Sequence, residues 1–125
     1  MGTTSHLVGR LCKGHEVIYK QGDSGDTMYI VQLGQVEIIQ RKGNNEYCLA
    51  VVGEGDFFGE MALFGMENRS CTIRALGKAR VLTIDKKSFL GGIQEDPSLA
   101  FRIVKVMSGR IRDLTDRLAK FEMKK

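Results

Sequence analysis

From residue 16 to residue 84 the chain keeps returning to one pattern: a short apolar or alternating run, then a glycine-bearing turn, then another run. The runs fall at residues 16–19, 28–33, 36–41, 46–52, 71–76 and 79–84. Between them lie Gln21-Gly22-Asp23-Ser24-Gly25-Asp26, then Gly34, then Lys42-Gly43-Asn44-Asn45, then Gly53 and Gly55. No run is long enough for a helix, and each is bounded by residues that favour turns, so the pattern predicts a barrel or jelly roll. From Asp85 the apolar spacing becomes helical, which makes the fold class mainly β with C-terminal helices. Residues 1–10 carry no usable pattern and are expected to form a disordered tail. That leaves 11–125 as a single domain, with the barrel at 11–85 and the helices at 86–122.

The helical part has two pieces. Residues 86–94 predict a short helix weakened by Gly91-Gly92. Asp96-Pro97 then opens a long helix, with Asp as N-cap and Pro in the first turn. Its apolar residues Ala100, Val104, Met107, Ile111, Leu114, Leu118 and Phe121 follow a heptad spacing. Asp113 to Arg117 and Asp116 to Lys120 add pairs four residues apart in the favourable order. The stripe is expected to pair two chains into a homodimer; packing back on the barrel is the alternative. The basic character sits here too. From Arg102 onward the balance is +5, against −1 for everything before it, so the net charge of +4 does not mark a nucleic-acid-binding surface.

One stretch carries chemistry. Residues 55–75 read G-D-F-F-G-E-M-A-L-F-G-M-E-N-R-S-C-T-I-R-A. Phe57 and Phe58 suit a core anchor. Gly59 lets a ligand approach the backbone, and Glu60-Met61-Ala62-Leu63 continues as good helix formers with an acid in the first turn. Backbone N–H groups at such a start can hold an anion. Arg69 and Ser70 follow in a polar turn that Gly65 opens. Arginine forks onto phosphate oxygens and stays charged at physiological pH. A carboxylate so near would repel a phosphate unless the ligand also offers a donor, as a ribose hydroxyl does. The plain alternative is a surface ion pair between Glu60 and Arg69.

The stretch resembles the phosphate-binding cassette of cyclic-nucleotide-binding domains, the family of catabolite activator protein, cAMP-dependent kinase regulatory subunits and cyclic-nucleotide-gated channels. The resemblance covers residues 14–117 and rests on F-G-E-M-A-L with R-S-C-T-I-R-A, its arginine nine residues after the glutamate. It implies a double-stranded β-helix (jelly-roll) barrel with a short cassette helix and a long C-terminal helix. It implies cAMP or cGMP as ligand, with Glu60 on the ribose 2′-OH and Arg69 on the cyclic phosphate. Gly59, the amides of Met61 and Ala62, and Ser70 would complete the phosphate site. Ile38 and Leu49 fall where relatives line the base pocket, and Thr115, with Arg112 near it, is the helix candidate for touching the base. Many relatives that have lost nucleotide binding lack this arginine. Ser70 is compatible with either nucleotide. Arg69 is expected to lie largely exposed without ligand.

Other functions find little support. Three cysteines, Cys12, Cys48 and Cys71, cannot all pair; the odd count fits a reducing cytosol and the chain is expected to be cytoplasmic, with all three as small packing residues. His6 and His15 make no metal-ligand spacing with a cysteine, so no metal and no cupin-type enzyme is expected. No Ser-His-Asp or Cys-His set exists, so the chain is not expected to be an enzyme. Neither a signal peptide nor an apolar run approaching about 18 residues is visible, which argues against the membrane. Two alternatives stay open: the same fold sensing a different small ligand, and the sensor fragment of a transcription regulator whose DNA-binding part would follow Lys125.

Overall fold

Apolar residues crowd both sides of Gly34 and both sides of Gly77. Both stretches become long strands in the computed structural model, which describes residues 8–65 and 68–123. Strand β3 (Thr27–Lys42) pairs antiparallel with β6 (Thr72–Asp85) from Thr27 opposite Asp85 to Ile39 opposite Thr72. The expected breaks at Gly34 and at residues 77–78 are instead bends within continuous strands. The register slips around Leu33, Gly34 has φ 77° and Gly77 has φ 70°. A side chain on Gly34 would run into the carbonyl oxygen of Lys78. Glycine here kinks the ladder and lets pairing resume beyond the bend.

The other strands hang on this pair. β4 (Asn45–Val52) returns along β3 through a two-residue loop, Gly43-Asn44, tighter than the four-residue turn expected. Gly43 at φ 61° supplies the left-handed conformation such hairpin loops need. β2 (Val17–Tyr19) joins β6, and β5 (Phe57–Phe58) joins β3, burying both phenylalanine rings. β1 (Val8–Cys12) pairs with β6 from Val8 opposite Thr83 to Cys12 opposite Ala79. The expected tail is therefore corrected for Val8, Gly9 and Arg10; residues 1–7 lie outside the described residues. β1 has no alternation to read, since Leu11 is exposed and Gly9 is a gap under the Arg80 guanidinium. Pairing with β6, not patterning, makes it a strand. The core gathers Cys12, Ile18, Val31, Val36, Val52, Phe58, Ile73, Ala75, Ala79 and Val81.

α1 (Lys86–Glu95) and α2 (Ser98–Met123) match the two expected helices. Asp85 caps α1 by accepting the Ser88 N–H at 2.7 Å, and Asp96 accepts the Ser98 N–H at 3.2 Å. The Ser98 contacts also hold the Asp96 carboxyl below its usual range. The chain divides into two compact units, one ending at Phe89 and one beginning at Leu90. No residue of α2 is buried, and Ile111, Leu114, Leu118 and Phe121 on the heptad stripe are all exposed. Among the described residues, no helix is long and apolar enough to cross a membrane. Cys12 is a core residue whose thiol burial pushes above its usual range. Cys48 is exposed on β4, which corrects the expectation that all three cysteines pack inside.

Candidate ligand-binding site

Phe57 and Phe58, locked into β5, hand the chain directly to Gly59. Gly59 takes φ 77° and ψ 11°, a left-handed turn that aims the next residues away from the sheet. Glu60–Phe64 then forms a 3-10 helix, with the Ala62 N–H donating to the Gly59 carbonyl at 3.2 Å. Gly65, left-handed at φ 89°, ends it and donates its N–H to Met61. Met61 is exposed, while Gly59, Glu60 and Ala62 are half-buried.

Arg69 departs from expectation. It is only 7% exposed, not displayed to solvent. Its backbone is clamped to the turn after β2: the Gly22 N–H donates to the Arg69 carbonyl and the Arg69 N–H to the Asp23 carbonyl, both at 2.7 Å. The side chain runs back under the cassette. Nη1 donates to the Gly59 carbonyl and Nη2 to Thr27 Oγ1, each at 3.3 Å. The guanidinium carbon sits 4.1 Å from the centre of the Tyr19 ring and 5.9 Å from that of Tyr29. Nε is buried with no hydrogen-bond partner among the described residues. Tyr19, Tyr29 and Phe58 form one aromatic cluster, with Tyr29 and Phe58 stacked at 5.1 Å. A charge is tolerated here because ring faces are negative and solvate it partially.

Glu60 belongs to the same neighbourhood. Burial pushes the Tyr19 phenol well above its usual range; the Arg69 charge pulls it down and the Glu60 charge pushes it up further. The structure thus brings Ala62 and Arg69 together on the Gly59 carbonyl, with Glu60 the next residue in the chain. Ser70 is exposed beside Cys71. Ile38 is half-buried against the core, and Leu49 is 41% exposed at the irregularity in β4, where Ile38 faces Ala50 and Ile39 faces Cys48. Thr115 lies in the other compact unit, exposed, its hydroxyl donating to the Ile111 carbonyl at 2.9 Å. A cleft of about 400 Å³ flanks the cassette helix, lined by Gly25, Asp26, Ala62, Leu63, Lys86 and Lys87 among others. Neither Glu60 nor Arg69 lines it. Among the described residues, no group of three or more His, Cys, Asp or Glu could hold a metal ion.

Sequence reasoning missed Tyr19, Gly25 and Thr27. A Cβ on Gly25 would lie 2.5 Å from Arg69 Nε, so this glycine makes the space the guanidinium fills. The available signal was the second glycine of the turn after β2, which a turn alone does not require.

Comparison with known proteins agrees with this geometry. The family described as "Cyclic nucleotide-binding domain" matches residues 10–96. A CRP-like cAMP-activated global transcriptional regulator of Mycobacterium tuberculosis is 28% identical over 108 residues, 86% of this chain and 48% of that protein. A cGMP-dependent protein kinase of Caenorhabditis elegans is 42% identical over 79 residues, 61% of this chain and 10% of that protein. The crystal structure of Thermus thermophilus catabolite activator protein superposes with a TM-score of 0.82 at 28% identity, covering 96% of this chain and 57% of that one. The chain spans about half the length of the bacterial regulators it matches. The jelly-roll architecture expected from the sequence is the one these neighbours share. This chain belongs to the cyclic nucleotide-binding domain family.

Proposed function

We propose that the chain is a regulatory domain that binds cAMP or cGMP at the cassette and passes the resulting change on through its C-terminal helix. The observation that carries this reading is the clamped Arg69, whose guanidinium meets the carbonyl of Gly59 at the mouth of the Glu60–Phe64 turn. A cyclic phosphate taking the place of that carbonyl and of Thr27 Oγ1 would receive charge-assisted bonds from the same two nitrogens. Glu60, acceptor-only when ionised, suits a ribose hydroxyl. The Met61 amide and Ala62 belong to the same turn, Ser70 would join them on the phosphate from beside Arg69, and Ile38 and Leu49 would meet the base. Thr115 is the candidate contact from α2. The chemistry is binding and not catalysis, so the output is a shift between conformations that the ligand binds unequally.

The exposed heptad stripe of α2 supports a homodimer joined through that helix. A sensor that dimerises through its output element could report occupancy by changing how two helices meet. We place it in the cytoplasm, with no nucleic-acid contact from this chain itself. Calorimetric titration of the purified domain with cAMP, cGMP and cyclic di-GMP tests the reading. Saturable binding of one of the first two at a stoichiometry of about one per chain is expected; binding of cyclic di-GMP alone would replace it with the different-ligand alternative.

A further inference from the structure

We infer that Tyr19 and Gly25 together form a slot that positions the Arg69 guanidinium for the ligand phosphate, with Tyr19 as the positioning residue. This rests on the proposed reading of the cassette as a cyclic-nucleotide site.

Four observations converge. The guanidinium carbon lies 4.1 Å from the Tyr19 ring centre, close enough for face-on stacking. The Nε and Nη2 side has room for the guanidinium only because residue 25 has no side chain, since a Cβ there would be 2.5 Å from both nitrogens. Gly59 shares in the slot: a Cβ on it would sit 3.0 Å from Arg69 Nη1 and 3.2 Å from the Tyr19 hydroxyl. Finally, Arg69 is more than nine-tenths buried, yet among the described residues its Nε has no partner and its two bonds to Gly59 and Thr27 are long, at 3.3 Å. A cation buried so deeply with so few acceptors would be costly as a structural cross-link. As a donor held ready for an anion, the same arrangement makes sense, because the flat slot fixes the fork that a phosphate must meet and removes side-chain freedom before binding.

The slot is built from three separate places in the chain: Tyr19 at the end of β2, Gly25 in the turn after it and Gly59 at the start of the cassette. Arg69 enters it because its backbone is held to Gly22 and Asp23, three and two residues before Gly25. Tyr19 therefore acts on the ligand only through Arg69.

The test compares Tyr19→Leu, Tyr19→Phe and Gly25→Ala with the parent. Arg69 resonances, identified by their loss in Arg69→Ala, should be shifted upfield by the Tyr19 ring in the ligand-free parent. That shift should survive in Tyr19→Phe and vanish in Tyr19→Leu and Gly25→Ala. Affinity for cAMP or cGMP should fall about twofold to thirtyfold in Tyr19→Leu, stay near the parent value in Tyr19→Phe, and fall comparably in Gly25→Ala. In an Arg69→Ala background, Tyr19→Leu should cost nothing further. Parent-like affinity in Tyr19→Leu, or a loss that persists without Arg69, would overturn the positioning role. If Tyr19→Leu does not fold, Gly25→Ala, which leaves the aromatic cluster intact, decides. A parent that binds no cyclic nucleotide would sink the functional reading instead, and an absent ring shift would sink the slot, so the two failures are told apart.

Discussion

Replacing Arg69 by Ala separates binding from folding, and the structure says how much of each to expect. For the fold, opposing contributions are of similar size. The variant loses two long hydrogen bonds to Gly59 and Thr27 at 3.3 Å and the stacking on Tyr19 at 4.1 Å. Charged hydrogen bonds are worth about 1.5–3 kcal/mol at good geometry, and these lie at the weak end; a desolvated cation–π contact adds about 2 kcal/mol. Against this, burying the guanidinium costs several kcal/mol, and among the described residues its Nε has no partner to recover any of it. The difference should stay within about 2 kcal/mol, or roughly 10 °C in Tm for a domain of this size. Binding has no such cancellation. Truncating the partner of a mostly desolvated charge costs about 2–5 kcal/mol, so affinity for cAMP or cGMP should drop at least roughly thirtyfold. Calorimetric titration and thermal unfolding of parent and variant, without ligand, measure the two parts. Unchanged affinity would refute the assignment of Arg69 to the phosphate. Collapse of the fold would show that the guanidinium is a structural strut.

Other elements give sharp contrasts. Gly34→Ala should destabilise by at least about 2 kcal/mol, since it combines a left-handed backbone with a side chain driven into the Lys78 carbonyl. Gly43→Ala, left-handed but with nothing within 4 Å, should cost only about 1 kcal/mol; equal losses in denaturant unfolding would disprove the bend. The Tyr19 phenol, pushed up chiefly by burial, has its folded pKa above the unfolded value of about 10. Its contribution is therefore whole below pH about 10 and is lost as pH rises through the folded value, so Tyr19→Phe should flatten the alkaline fall in stability. Parallel stability curves for the two proteins above that pH would contradict it. Charging the helix stripe with Ile111→Glu and Leu118→Glu, both positions 61% exposed, should turn a dimer into a monomer that still binds nucleotide; a parent that sediments as a monomer rules the dimer out.

What could be read from the sequence was whatever local chemistry dictates. The 3-10 turn of the cassette follows from Gly59, a run of helix formers and Gly65, all within seven residues. The Asp96 cap of α2 and the hairpin at Gly43 are equally local. Strand β1 was not legible, because nothing in Val8–Cys12 alternates and its existence depends on β6, some seventy residues away in the chain. The bends at Gly34 and Gly77 were misread as strand ends for a related reason. A glycine marks a break in pattern, but only the partner strand decides whether pairing resumes on the far side.

The burial of Arg69 has the same non-local origin, and it changes what binding requires. A guanidinium in water would have to be stripped of its hydration and held still before it could fork onto a phosphate. Here Tyr19 and Gly25 have already removed most of the solvent, and Gly22 and Asp23 hold the backbone. On the proposed reading, the ligand then only exchanges two long bonds to neutral acceptors for shorter, charge-assisted ones. That exchange releases Gly59 and Thr27 together, so the cassette and the start of β3 lose the same restraint at once. Any shift of the guanidinium towards the ligand must also be felt by the turn after β2, because the arginine is fixed to it by both its N–H and its carbonyl. The first conformational consequence of binding is therefore expected in residues 20–27, ahead of any change in the helices.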